Sequence, residues 1–212
     1  MNKYMNLIGI KARKASNVKI TTQTKNRVLK DYARLLNKHK NFILKENAKD
    51  IIFARNKGLK ENLISRLLIN EKKLVDIKKS IHKIEKLKDP INITLNKWKR
   101  PNGLNISRVT IPIGVIGVIY ESRPNVTSDV ASLCFKSGNS VILKGGSEAI
   151  NTNRILAKLF RRALRINKVD QNYMQFVDSR ERKVVDIMLS KMKSYIDIII
   201  PRGGKNLVKR VQ

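Results

Sequence analysis

Between residues 24 and 47 the apolar side chains fall at Val28, Leu29, Tyr32, Leu35, Leu36, Phe42 and Ile43, with His39 in the same series. This i, i+3, i+4 spacing is that of one buried helix face, and Thr22 stands where an N-cap belongs. A second, short helix is predicted over 48–56, closed by Gly58. Leu74, Ile77, Ile81, Ile84 and Leu87 repeat the helical spacing. Asn70 precedes that run as a cap and Pro90 ends it. Residues 1–90 therefore read as a helical region whose apolar faces pack on the rest of the chain.

The period then changes. Residues 91–111 read as two strands around Pro101-Asn102-Gly103, Asn-Gly being a strong hairpin signal. Trp98 is expected to cover a sheet face. From 112 to 212, short β-branched runs alternate with helical stretches. Strands are predicted at 115–120, 140–144, 173–177 and 195–200. Helices are predicted near 125–137, 148–165 and 180–192, with another beginning after residue 204. Strand–helix–strand units of this length give parallel pairs, and continuous apolar strands are those covered on both faces. The fold class is therefore α/β, a doubly wound parallel sheet of Rossmann-like units. The helical region and the hairpin precede it within a single packed unit, 1–212. Ligands of such sheets sit at the carboxyl ends of the strands.

Composition narrows this picture. The chain has 212 residues and one cysteine, Cys134, so it forms no internal disulfide. No apolar run approaches the ~20 residues of a membrane span, and the start, MNKYMNLIGIKARKAS, lacks the apolar stretch of a secretory signal. The expected location is the cytoplasm. Lys and Arg number 46 against 16 Asp and Glu, a net charge of +30. That charge suits a nucleic-acid or anionic partner; it is also what a composition rich in Lys, Asn and Ile produces without selection for binding. The basic residues are spread over every segment with no aromatic ladder to stack bases, so nucleic-acid binding is expected to be nonspecific and salt-sensitive. His39 and His82 stand alone, without the clustered ligands of a metal site, and none is expected.

The candidate chemistry lies at the strand ends: ESRPN (121–125), KGGSE (144–148) and PRGGK (201–205). Glycine pairs let backbone approach a ligand. The N–H groups opening the next helix attract anions, and Lys144, Arg202 and Lys205 add formal charge. A ligand with several phosphates fits; tight turns alone would also explain the glycines. Neither GxGxxG nor GxxxxGK[ST] occurs, which excludes the usual dinucleotide fingerprint and the P-loop.

The stretch IPIGVIGVIYESRPNVTSDVASLCFKSGNSVILKGGSEA closely resembles the gamma-glutamyl phosphate reductase (glutamate-5-semialdehyde dehydrogenase) family of the aldehyde dehydrogenase superfamily. KWKRPNGLNISRVTIPIGV before it, DIIIPRGGKNLVKRV after it, and TKNRVL and ENAKD in the helical region fit the same family. The resemblance covers essentially the whole chain, and YESRPNV…GGSE…PRGG is specific to this family. It implies NADPH-dependent reduction of L-glutamyl 5-phosphate to L-glutamate 5-semialdehyde and phosphate, in proline synthesis from glutamate. A cysteine thiolate forms a thioester there and an oxyanion hole stabilises the tetrahedral intermediates.

By the same resemblance, Lys144, Gly145, Gly146, Ser147 and Glu148 hold the adenosine side of NADP(H), and Arg202, Gly203 and Gly204 face the pyrophosphate. Many NAD-using relatives carry a carboxylate where this chain has Ser147. A carboxylate repels a 2′-phosphate while a hydroxyl can donate to it, so NADP is expected over NAD. Glu148 is expected in the first turn of the next helix, where a carboxylate suits the dipole. Arg123 is a candidate for the substrate and Asn125 for the oxyanion donor. Family members run to roughly twice this length, so the resemblance matches their N-terminal half. The nucleophilic cysteine is then expected outside these 212 residues, Cys134 being a small buried residue within a helix. The expected partners are a homodimer or a complementary C-terminal chain. The alternatives are an inactive remnant, or an old enzyme fold reused as a basic nucleic-acid-binding protein.

Overall fold

The computed structural model describes residues 1–211. The chain runs through α1 (Asn2–Ser16), α2 (Thr22–Lys38), α3 (Lys40–Asn56), α4 (Glu61–Leu67), α5 (Glu71–Lys86), β1 (Thr94–Lys99) and β2 (Asn105–Val109). It continues through β3 (Val115–Tyr120), α6 (Asn125–Lys136), β4 (Ser140–Lys144), α7 (Ile150–Ile166), β5 (Met174–Phe176), α8 (Lys183–Lys191), β6 (Ile198–Arg202) and α9 (Lys205–Val211). Single 3-10 turns occupy Ser147–Ala149 and Gln171–Tyr173. Among the described residues, no helix is long and apolar enough to cross a membrane.

Strands β5, β4, β3 and β6 form one parallel sheet in that order. The chain steps outward from β3 to β5, then returns to the far side of β3 with β6. That reversal is a topological switch point, and it opens a crevice at the carboxyl ends of β3 and β6. Alternate residues of the strands feed two cores. Ile116, Val118, Tyr120, Val141 and Leu143 face a layer built by α2, α5, α6 and α7, where Phe135 and Tyr32 both meet Phe160 edge-to-face. Val115, Ile119 and Ile142 face Met5, Ile8 and Ala12 of α1 and Val184 and Met188 of α8. Each fully buried Ile or Leu of these layers contributes about 2–3 kcal/mol of transfer free energy. The doubly wound sheet is thus present, and α1 lies across it from α2.

The structure corrects several local expectations. The single helix face predicted across 24–47 is split over two helices, broken at His39 (φ −104°, ψ 21°). The break resets the helical phase, so Ile43 is buried while Phe42 is half exposed. The cap of α2 is Thr21, whose hydroxyl accepts from the Thr24 N–H at 3.3 Å; Thr22 instead donates to Asp89. The segment 48–56 is the end of α3. Gly58 (φ +67°) closes it in a Schellman motif, its N–H bonding to Arg55 O and that of Leu59 to Ala54 O. Asn70 caps α5 as expected, its side chain accepting from the Lys73 N–H at 2.8 Å; Leu87, in the extended C-cap, is exposed.

The hairpin pairs Trp98 with Ile106, yet Trp98 is 43% exposed and every β1 residue faces solvent. Trp98 therefore covers no sheet face among the described residues. Strand β6 starts at Ile198 rather than 195, because Tyr195 and Ile196 still turn back to Met192 O. Pro201 and Arg202 consequently lie inside the strand. Ile198 and Ile200 are exposed, so this strand, unlike β3 and β4, is covered on one face only.

Candidate functional site

Pairing of β3 with both neighbours sets Lys144 beside Ile119 and Arg202 beside Tyr120. With strands about 4.8 Å apart, the KGGSE and PRGGK loops flank the end of β3 from opposite sides. The structure thus brings Lys144–Glu148 and Arg202–Gly204 onto one rim. Three adjoining clefts run along it. The first (≈ 380 Å³) is lined by Lys144, Gly146, Ser147 and Glu148 facing Arg180 and Arg182. The second (≈ 700 Å³) holds Arg66, Arg123, Arg202 and Gly204 and shares Glu121 and Glu148 with the first. The third (≈ 350 Å³) holds Ser80, Asn125 and Asp129 and shares Arg66 with the second.

Lys144 is the most unusual group on this rim. It is only 6% exposed. Its ammonium donates to the Gly145 carbonyl at 2.6 Å and reaches no carboxylate within ion-pair distance among the described residues. Burial pulls its pKa below the ordinary lysine value, and the nearby Glu148 charge opposes that shift. A buried cation so weakly compensated is suited to an anionic ligand.

Glu148 differs from expectation. It sits in the 3-10 turn before α7, and its carboxylate accepts from the Ser147 hydroxyl at 2.6 Å and the Ser122 hydroxyl at 3.3 Å. Burial acts to raise its pKa, but these hydroxyls and the Lys57 charge outweigh it and hold the group below the ordinary range. The Ser147 hydroxyl therefore serves Glu148 rather than standing free for a 2′-phosphate. The positive charge that Ser147 does not supply comes from Arg180 and Arg182. Arg180 lies 4.0 Å over the Phe53 ring, which orients it.

The helix N-termini expected to attract phosphates are also partly closed. That of α7 is bonded by Asp50 of α3, which accepts from Asn151 N–H (3.2 Å), Thr152 N–H (2.8 Å) and the Thr152 hydroxyl (2.6 Å). The Gly204 N–H donates to Glu121 at 2.9 Å. The formal positive charge of this rim is that of Lys144, Arg180, Arg182 and Arg202. Gly145 has a packing reason of its own: a Cβ there would overlap the Asn153 amide and sit 2.9 Å from the Tyr120 ring.

Asn125 opens α6, and its Nδ2 donates to Asp129 at 3.1 Å. It lines the third cleft, whereas Arg123 lines the second. Cys134 is buried within α6, and burial pushes its thiol up to about 12. Sequence reasoning missed Asp50, Arg66, Asp129, Arg180 and Arg182, and gave Glu121 of the ESRPN stretch no role. Asp129 was reachable, being one helical turn after Asn125, and Arg180 and Arg182 follow β5 directly. Asp50 acts 101 residues away in the chain, where no local pattern reaches.

No family model matches the chain. The gamma-glutamyl phosphate reductase of Clostridium tetani is 42% identical over 213 residues, covering 100% of this chain and 50% of its own length. That of Carboxydothermus hydrogenoformans is 41% identical over 213 residues, with 100% and 51% covered. The crystal structure of gamma-glutamyl phosphate reductase from Thermotoga maritima matches with a TM-score of 0.94 at 38% identity, over 96% of this chain and 50% of that one. A probable aldehyde dehydrogenase from Listeria monocytogenes shares the fold at 16% identity, with a TM-score of 0.72 over 99% of this chain and 43% of that one. The chain spans about half the length of the curated relatives it matches.

Proposed function

Because the chain belongs to the gamma-glutamyl phosphate reductase family, we propose that it forms the NADP(H)-binding half of an enzyme that reduces L-glutamyl 5-phosphate to L-glutamate 5-semialdehyde and phosphate. The observation that carries this reading is the buried ammonium of Lys144, without an ion-pair partner among the described residues, at the mouth of a cleft rich in arginine. In the proposed complex Lys144 holds the adenosine ribose and its 2′-phosphate, with Arg180 and Arg182 alongside. The pyrophosphate runs toward Arg202, Gly203 and Gly204, where it competes with the Glu121 carboxylate for the Gly204 N–H. The bound cofactor supplies a hydride equivalent; this chain's residues bind and orient it. Cys134, with its thiol buried and protonated, does not serve as nucleophile. We assign that thiol to the half of the family's length that these residues do not match, where a complementary C-terminal chain would supply it.

Titration of the intact chain with NADPH and NADH, read by nicotinamide fluorescence, tests the cofactor assignment. NADPH is expected to bind about tenfold more tightly, the effect of roughly 1.4 kcal/mol, and Lys144→Met to abolish that preference. Equal affinity for both nucleotides, or a preference that survives Lys144→Met, would overturn it.

A further inference from the structure

Of the chain's 16 acidic residues, those outside ion pairs fall into a pattern among the described residues. Asp50 and Asp170 cap backbone N–H groups, and Glu181 lies on the surface. The remaining four, Asp76, Glu121, Asp129 and Glu148, all line the three clefts. In a chain of net charge +30, a carboxylate without a cationic partner is a site open to a positive group brought by a ligand. The arginines mirror this. Arg66 and Arg123, facing the second cleft, make no side-chain hydrogen bond or ion pair among the described residues.

The third cleft combines both signs. Asp129 is partly buried and held from two sides, accepting from the Ser80 hydroxyl at 2.9 Å and the Asn125 amide at 3.1 Å. A carboxylate has about four acceptor positions, so two remain for an ammonium. Arg66 stands at the boundary with the second cleft. Lys73, its ammonium fixed on the Ser65 and Leu68 carbonyls at 2.8 and 2.7 Å, keeps one N–H free beside it. An oriented anion and two cations lining one pocket match the zwitterionic head of a free α-amino acid.

We propose that this cleft between α5 and α6 is an α-amino-acid subsite, in which Asp129, oriented by Ser80 and Asn125, binds the substrate's α-ammonium and Arg66 its α-carboxylate. The inference rests on the proposed function and deepens it. The γ-acyl end of a glutamyl substrate is a few bonds from its head, and it then enters the second cleft, where Arg123 meets the phosphate. Asn125 becomes a positioning residue for Asp129. Discrimination against substrates lacking the amino group follows from the partly buried charge they would cover and leave unpaired.

The test uses the intact chain without nucleotide, so its outcome is independent of the cofactor assignment. The probes, read by ligand-observed NMR, are L-glutamate 5-methyl ester, monomethyl glutarate (no ammonium) and methyl 4-aminobutyrate (no carboxylate). The wild-type chain is expected to bind the first about tenfold more tightly than either of the others, the effect of one charged hydrogen bond. Asp129→Asn should erase the preference over monomethyl glutarate, and Arg66→Met the preference over methyl 4-aminobutyrate. If the ester fails to bind, or the wild-type chain binds it no better than monomethyl glutarate, the subsite is wrong. It is equally wrong if a folded Asp129→Asn retains the full preference. Should Asp129→Asn not fold, Ser80→Ala must weaken the preference over monomethyl glutarate, and an unchanged preference overturns the proposal. A chain that passes these tests yet fails with NADPH would overturn the cofactor assignment alone.

Discussion

Thr152 donates both its backbone N–H and its hydroxyl to Asp50, at 2.8 and 2.6 Å. Helix α7 has no capping side chain of its own, so a carboxylate from α3 caps it across the domain. The consequence reaches the candidate site. Lys144, the two glycines and the 3-10 turn all lead into α7, and Asp50 fixes where that helix begins.

Asp50→Ala is expected to cost about 2–3 kcal/mol, combining a lost cap with buried donors left unpaired. Urea denaturation monitored by circular dichroism measures it. Burial raises the Asp50 pKa, the hydrogen bonds from Thr152 and Asn151 opposing that shift. Its ionisation therefore costs stability as pH climbs from the ordinary value of about 3.9 through the raised folded value. Asp50→Asn should remove that component of the pH profile.

Asp197 has the opposite sign. It bonds Arg13 of α1 at 2.8 and 2.9 Å and accepts from the Val115 N–H at 2.7 Å, tying α1 to the start of β3. The Arg13 guanidinium holds its pKa below the ordinary value. Its stabilisation is full above about pH 4 and is lost as pH falls through the depressed folded value. Melting curves from about pH 7 to pH 3 should show Asp197→Asn less stable at neutral pH and nearly equal to wild type in acid.

Glu148 places a negative charge in the cleft assigned to NADP(H). Glu148→Gln keeps a hydrogen-bond acceptor for Ser147 and removes the repulsion of a 2′-phosphate. NADPH affinity should rise about three- to tenfold with NADH affinity little changed. A proportional change in both would show that Glu148 acts on the shape of the cleft.

Cys134, with its thiol pushed up to about 12, should react with a disulfide reagent in the folded chain at a rate orders of magnitude below that in denaturant. Fast labelling of native protein would contradict the buried placement in α6.

Elements that depend on neighbours in the chain were legible in the order of the residues. The spacing of Leu74, Ile77, Ile81 and Ile84 defined α5, Asn70 its start, and the β-branched runs at 115–120 and 140–144 the central strands. That order also located the cationic, glycine-rich loops at the carboxyl ends, because sheet topology sends ligands there. Tertiary structure decided what those loops are free to do. Asp50 and Glu121 reach the N–H groups of α7 and Gly204 from other elements, so those donors are already engaged and the rim's formal positive charge rests on Lys144 and the arginines. It decided the break at His39, the exposure of Trp98 and the cleft around Asp129 as well. The reason is the range of the interactions. Periodicity and capping act within a turn or a strand, whereas the partner of a buried charge is chosen by whichever distant element packing brings within hydrogen-bond reach.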